Sequence, residues 1–226
     1  MNILSYRGPD DRENAGFGLA RLFSENRQEH QWWFLDSDSL ECRLSNSGTD
    51  SHICEFPRAV VQGHSDYCGD FLAPLFNEQK DLLRFDQSQR QMYHQFNTFF
   101  SQSVLGFNPQ SIIQPILIHG HHLALSPQIL FNCSGSRNTL FWTLPWPKYF
   151  ERAYRPFVCE IALGLLHANH LGFSKPEFAE NFLKYVQKSL PNFDVDIHSR
   201  AVESSYRPDH STLVGYRPFG SDFCRN

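Results

Sequence analysis

Ile116-Leu117-Ile118-His119-Gly120-His121-His122-Leu123 and Leu140-Phe141-Trp142-Thr143-Leu144-Pro145-Trp146-Pro147 are the two stretches whose reading decides the fold. Each is an apolar run of strand length that stops at polar, Gly or Pro residues, and Leu123 to Phe131 between them reads as a helix. Strand, helix, strand is a β-α-β unit. In open α/β sheets the loops at the carboxyl ends of such strands form the ligand crevice, because backbone N–H groups and helix N-termini converge there. This places His119, His121, His122 and Thr143 at a candidate site.

Upstream, Asn2 to Tyr6 reads as a first strand, followed by the polar loop Arg7 to Asn14 and a helix from Ala15 to Phe23. Gly16 and Gly18 stand at the entrance of that helix, where a backbone without Cβ lets an anion or sugar ring approach. Gln31 to Leu35 is a strand, Ser37 to His52 a surface excursion or hairpin, and Arg58 to Gln62 a further strand. From Gln87 to Leu105 the residues Met92, Phe96, Phe99, Phe100 and Val104 form the stripe of an amphipathic helix.

Downstream, Phe157 to Leu166 is a helix, Ala168 to Phe173 a strand, and Lys175 to Leu190 a helix with Ser174 as its N-cap and Pro176 in its first turn. Asp194 to Val202 and Leu213 to Arg217 are the last strands. This alternation predicts an α/β protein: one Rossmann-like domain over residues 1–226, with a mostly parallel sheet and helices on both faces.

Composition bounds the function. A net charge of -4 argues against a nucleic-acid-binding surface or attraction to anionic membranes. The six cysteines are scattered without a CxxC pair, which fits neither a zinc ribbon nor a disulfide scaffold and points to a reducing cytoplasm. No apolar run reaches the ~18 residues of a membrane span. Most of the 21 Phe must be core, and Trp142 and Trp146 read as packing rather than as stacking platforms.

Other signatures fall short of a mechanism. As a dinucleotide fingerprint, Gly16-Phe17-Gly18 has Arg21 in place of the third glycine and begins about nine residues after the strand, although Asp36 and Asp38 lie about 20 residues on. Three close histidines suggest a metal, yet on an extended segment His119 and His121 face one way and His122 the other, with no carboxylate in the motif. The expectation is a sugar or phosphate pocket or a polar loop, with no metal and no cofactor. No local signature links a nucleophile to a base.

Several stretches, taken together, resemble the N-terminal domain of the trehalose-6-phosphate synthase family and its pseudoglycosyltransferase relatives, enzymes of the two-domain GT-B architecture. Ser5-Tyr6-Arg7 is similar to the family's Ser-Asn-Arg, Gly16 to Ala20 to its Gly-Gly-Leu-Ala, and Leu72 to Asn77 to its Leu-Trp-Pro-Leu-Phe-His. His119 to Leu123 resembles His-Asp-Tyr-His-Leu, and Leu144 to Pro147 resembles Ile-Pro-Phe-Pro. His170 to Phe173 is similar to Leu-Ile-Gly-Phe, and Arg217 to Asp222 to the Pro-Ile-Gly-Ile-Asp before the domain crossover.

The resemblance implies that Arg7 binds an acceptor phosphate, that Gly18 lets donor phosphates approach, and that His64, His119, His121 and His122 line a sugar pocket. The partners it implies are a sugar phosphate and a nucleotide sugar. It also implies that the donor-binding half lies beyond Asn226, to be supplied by a partner chain if glycosyl transfer is to occur. The departures are specific: the family's Asp is Gly120 here, its His is Thr143, its Trp is Ala73 and an upstream Tyr is His64. Gly120 has no side chain to orient a hydroxyl, and Thr143 brings no imidazole. A non-catalytic regulatory or interaction module is the alternative expectation.

Overall fold

The computed structural model describes residues 2–7, 31–36, 40–46, 49–107 and 115–216, without the side chains of 45–46, 49–53 and 107. The expected helix at Ala15–Phe23, with Gly16 and Gly18, and the stretch Arg217–Asp222 lie outside these residues.

Ten strands form one sheet: β1 (Asn2–Ser5), β2 (Gln31–Asp36), β3 (Glu41–Asn46), β4 (Thr49–Glu55), β5 (Ile116–His119), β6 (Asn138–Trp142), β7 (His170–Phe173), β8 (Phe193–Asp196), β9 (Ala201–Ser204) and β10 (Arg207–Tyr216). Their order is β4-β3-β2-β1-β5-β6-β7-β10-β9-β8. From β2 to β10 along that order all neighbours are parallel, and the hairpins β3–β4 and β8–β9 extend the two edges with antiparallel pairs. The chain steps from β1 to β2 on one side and reaches β5 on the other. The β1/β5 boundary is thus the topological switch point, where ligands of open α/β sheets bind beyond the carboxyl ends of the strands.

Between the strands run α1 (Arg58–Asp66), a π-helical segment (Tyr67–Leu72), α2 (Ala73–Phe76), α3 (Gln87–Phe107), α4 (Ser126–Ser134), α5 (Arg155–Leu165) and α6 (Pro176–Ser189). The Rossmann-like α/β expectation holds, and Ser37–His52 contains most of the β3–β4 hairpin.

Several local expectations need correction. Arg58–Gln62 is the start of α1, not a strand: Val60, Val61 and His64 are buried, continuing into Cys68 and Leu72 at helical spacing, so tertiary burial overrides the β-branched pair. The helix expected at Leu123 begins instead at Ser126, after a 3-10 turn over His121–Leu123. In α3 the buried side chains are Tyr93, Phe96, Asn97, Phe100, Ser101 and Val104, whereas Phe99 is 43% exposed. The N-cap of α6 is Lys175 rather than Ser174, with φ -136° and ψ 150°, because Pro176 forces the residue before it out of the helical region.

The core is built around aromatic rings. Trp142 and Trp146 are buried; Phe76 lies 4.9 Å and 5.1 Å from their respective ring centroids, and Phe182 lies 4.7 Å from Trp146. Edge-to-face pairs of this kind add about 0.5–1.5 kcal/mol each beyond their area burial. Arg90 on α3 grips Glu160 on α5 with two hydrogen bonds of 3.1 Å and 2.8 Å, and His94 adds a third contact at 2.9 Å.

Candidate functional site

At the switch point, β1 is followed by Tyr6 and Arg7, while β5 ends in His119 and is followed by Gly120. Ser5 and His119 are register partners, so the two exits lie side by side. Gly120 has φ 97° and ψ 161°, a region essentially reserved for glycine, and donates its N–H to the Phe141 carbonyl at 3.0 Å. The chain therefore turns sharply there instead of running on extended. As a result His121 and His122 do not face opposite ways, and their ring centroids are 4.1 Å apart.

The rings form a continuous stack. Tyr6 lies parallel to His122 at 4.4 Å, with an interplanar angle of 3°, and 4.9 Å from His64. His64 in turn lies 4.0 Å from Phe96 and stacks on Tyr93 at 5.4 Å. Arg7 places its guanidinium carbon 5.6 Å from the Tyr6 ring centroid. The Ser5 hydroxyl accepts from Trp32 Nε1 at 2.7 Å and donates to the Arg7 carbonyl at 2.5 Å, which fixes the turn out of β1.

Hydrogen bonds from behind pin the His121-His122 backbone. Tyr93 donates its hydroxyl to the His121 carbonyl at 2.8 Å. Asn97 Nδ2 and His64 Nε2 both reach the His122 carbonyl at 3.0 Å. Since a carbonyl only accepts, His64 carries its proton on Nε2. The Asn97 side chain also bonds the Tyr93 carbonyl (3.0 Å), the Leu125 N–H (3.2 Å) and the Ser126 hydroxyl (3.3 Å), splinting α3 to the turn and to the start of α4.

The residues named from sequence are thus largely brought together. His119, His121, His122 and Thr143 gather at the ends of β5 and β6, with His121 Nδ1 3.0 Å from Thr143 Oγ1, and Tyr6–Arg7 stands across from them. His64 is fully buried behind His122 and supports the turn. Gly18 lies outside the described residues. Sequence reasoning missed Tyr93, Asn97 and Cys68, the last being the buried thiol whose Sγ is 3.9 Å from His64 Nε2. Asn97 had a visible signal, a polar residue within the apolar stripe of α3. Cys68 had none.

Burial sets the charge state. It lowers His64 and His119 to about 4. His121 falls to about 3 through burial, reinforced by repulsion from His64 and His119, and His122 is held well below its ordinary value. Burial raises the Cys68 thiol. At neutral pH the site therefore presents uncharged imidazoles and a protonated thiol, with Arg7 a cationic residue at its rim among the described residues. The hollow of about 250 Å³ lined by Asp194, Asp196, Ser199, Ala201 and Glu203 belongs to the β8–β9 hairpin at the sheet's edge, where its carboxylates disfavour phosphate.

A half-sheet architecture with its polar cluster at the switch point defines the Rossmann-like half of a GT-B protein. The family model for glycosyltransferase family 20 matches residues 35–224, and the chain belongs to that family. The UDP-forming alpha,alpha-trehalose-phosphate synthase B of Dictyostelium discoideum is 26% identical over 176 residues, covering 76% of this chain and 22% of that protein. A Yarrowia lipolytica alpha,alpha-trehalose-phosphate synthase is 27% identical over 169 residues, 70% of this chain and 34% of its own length.

Among solved structures, a Burkholderia xenovorans alpha,alpha-trehalose-phosphate synthase in complex with glucose-6-phosphate superposes with TM-score 0.77 at 17% identity, covering 96% of this chain and 49% of that one. An E. coli trehalose-6-phosphate protein bound with UDP-2-fluoro glucose gives TM-score 0.77 at 15% identity, covering 98% and 49%. This chain spans about half the length of those structures and no more than about a third of these curated relatives. Among the described residues no helix is long and apolar enough to cross a membrane.

Proposed function

We propose that this chain binds a sugar phosphate as the acceptor half of a glycosyltransferase. The observation that carries the reading is the meeting of Arg7, His119, His121, His122 and Thr143 at the β1/β5/β6 strand ends in a member of glycosyltransferase family 20. Uncharged imidazoles and a threonine hydroxyl suit sugar hydroxyls, as each group can donate or accept. Arg7 supplies the charge for the phosphate, and Gly18 would face donor phosphates.

Transfer by a two-domain mechanism holds donor and acceptor in one water-poor cleft. Glycosyl transfer therefore also depends on a donor-binding unit with a nucleotide sugar as its ligand. The five described cysteines are free thiols, in keeping with a cytoplasmic setting.

One observation favours a second reading, a non-catalytic binding module. Gly120 offers no side chain and Thr143 engages His121, so neither position provides the acid or the imidazole expected of the family.

Titration with glucose 6-phosphate and with UDP-glucose, followed by melting temperature and heat of binding, tests both. A response to the hexose phosphate supports the acceptor half. Silence toward both ligand classes at millimolar concentration sinks it and leaves the module. Arg7→Gln should weaken hexose-phosphate binding by about 10- to 100-fold, the worth of a charge-assisted hydrogen bond, while binding of the unphosphorylated sugar stays unchanged.

A further inference from the structure

The turn after Gly120 does more than present polar groups to a sugar. It brings two imidazoles over a thiol carried by a distant element. One ligand atom each from Cys68, His121 and His122 lie within 4.8 Å of one another. Cys68 comes from the π-helical segment, a helix variant that recurs at functional sites because its extra residue re-aims side chains. We propose that these three residues form a binding site for a thiophilic transition-metal ion of the zinc or copper(I) class.

The donor set carries the assignment of metal class. One thiolate and two imidazoles without a carboxylate suit zinc and copper(I), whereas magnesium and calcium require oxygen ligands. Both imidazoles are uncharged at neutral pH and need lose no proton to ligate. The thiol must, so binding one ion releases one proton from Cys68 Sγ to solvent. Zinc–sulfur and zinc–nitrogen distances of about 2.3 Å and 2.0–2.1 Å require the three atoms, now within 4.8 Å of one another, to draw closer together on binding. Three protein ligands leave one position of a tetrahedral ion open.

The surroundings are those of a positioned site rather than of casual ring packing. Tyr93 and Asn97 hold the carbonyls of His121 and His122, so both ligands stand on a fixed backbone. Thr143 Oγ1 lies 3.0 Å from His121 Nδ1, and a proton donated from Nδ1 leaves Nε2 free as the ligand atom, the outer-sphere arrangement typical of ligating histidines. His64, whose Nε2 is spent on the His122 carbonyl, closes the back of the site 3.9 Å from the thiol. The expectation of no metal came from the local spacing of His119, His121 and His122, in which the third ligand is invisible.

The full chain, stripped with a chelator and kept anaerobic, would be titrated with cobalt(II) and then with zinc(II). We expect a thiolate-to-cobalt charge-transfer band and four-coordinate ligand-field bands that saturate at one equivalent and disappear as zinc displaces cobalt. Cys68→Ser should abolish the charge-transfer band, and His122→Gln should weaken cobalt binding at least about tenfold, the minimum cost of disturbing a metal's immediate surroundings. Cys133→Ser, on the exposed face of α4, should leave the spectrum unchanged. Absence of the band in the unaltered chain overturns the proposal, as does its survival in Cys68→Ser. Should Cys68→Ser fail to fold, undiminished cobalt affinity in His122→Gln overturns it. No sugar enters these measurements, so their outcome is independent of the acceptor reading.

Discussion

Two groups of histidines sit at opposite ends of the parallel sheet. The group at the carboxyl ends of β1, β5 and β6 comprises His64, His119, His121 and His122. The group near the amino ends of β6 and β7 comprises His167 and His210, packed on Phe131 with centroids 5.8 Å and 4.9 Å away. His64, His119, His167 and His210 are buried, His121 and His122 half-buried, and both groups have lowered pKa values. They differ in what their nitrogens do.

At the amino end each ring is bonded to a chain carbonyl: His167 Nδ1 to Leu163 at 2.7 Å and His210 Nε2 to Leu166 at 3.1 Å, with Thr212 Oγ1 adding bonds to Leu166 and Ala168. Those histidines cap the last turn of α5. At the carboxyl end His119 Nε2 and His64 Nδ1 are buried without a partner, and His121 faces a side chain instead of the backbone. Burial alone does not distinguish a site from a scaffold. What separates the two groups, among the described residues, is the fully buried ring nitrogen without a hydrogen bond, present only at the carboxyl end.

The largest expected effect comes from cutting the splint that holds the upper group. Asn97→Leu strands the Leu125 N–H and the Ser126 hydroxyl and weakens the hold on His122, and should cost about 4 kcal/mol by urea unfolding, at about 1–3 kcal/mol for each buried group left unpaired. Cobalt and hexose-phosphate binding should fall with it.

Next is acid sensitivity of the lower group. Burial lowers the folded pKa of His167 to about 4 from its ordinary 6.5, and repulsion from Arg207 and from His210 when protonated adds to it. Between those values the unfolded chain binds more protons, so stability is full above pH 6.5 and is lost as pH falls toward 4. His167→Gln should flatten that limb by up to about 3 kcal/mol, read as urea-unfolding free energy against pH. An unaltered acid limb would show that the lower group is not the scaffold described.

A smaller pair separates the two turns. Gly120→Ala places a methyl where only glycine is at ease and should cost about 2 kcal/mol, with loss of His121–His122 function. Gly135→Ala, at φ 65° in the ordinary left-handed cap of α4, should cost about 1 kcal/mol and leave ligand binding intact. Equal costs at the two positions would mean that the Gly120 turn is not specialised.

The parallel core was legible because its strands read as plain apolar runs, as in Ile116–Ile118 and Leu140–Trp142, with one face buried and the other half-buried under the helices. Local spacing failed where tertiary contacts decide. Val60-Val61 looks like a strand until the burial of His64 and Cys68 four residues apart shows a helix, and Phe99 fits the stripe of α3 yet faces outward. The histidine motif could be read in place, but its geometry could not. Its direction depends on one backbone angle at Gly120, and its support comes from Cys68, Tyr93 and Asn97 on other elements.

Gly120 also bears on any attempt to rebuild the acid that family resemblance places there. An aspartate at residue 120 would inherit a backbone in which L-amino acids are strained, so replacing the side chain cannot by itself return the carboxylate to working order. Relaxing the turn toward ordinary angles would shift the backbone that carries His121 and His122, whose ligand atoms now lie within 4.8 Å of Cys68. On the metal proposal, a single peptide unit then weighs one chemistry against the other: a carboxylate aimed at a hydroxyl, or two imidazoles closed over a thiol.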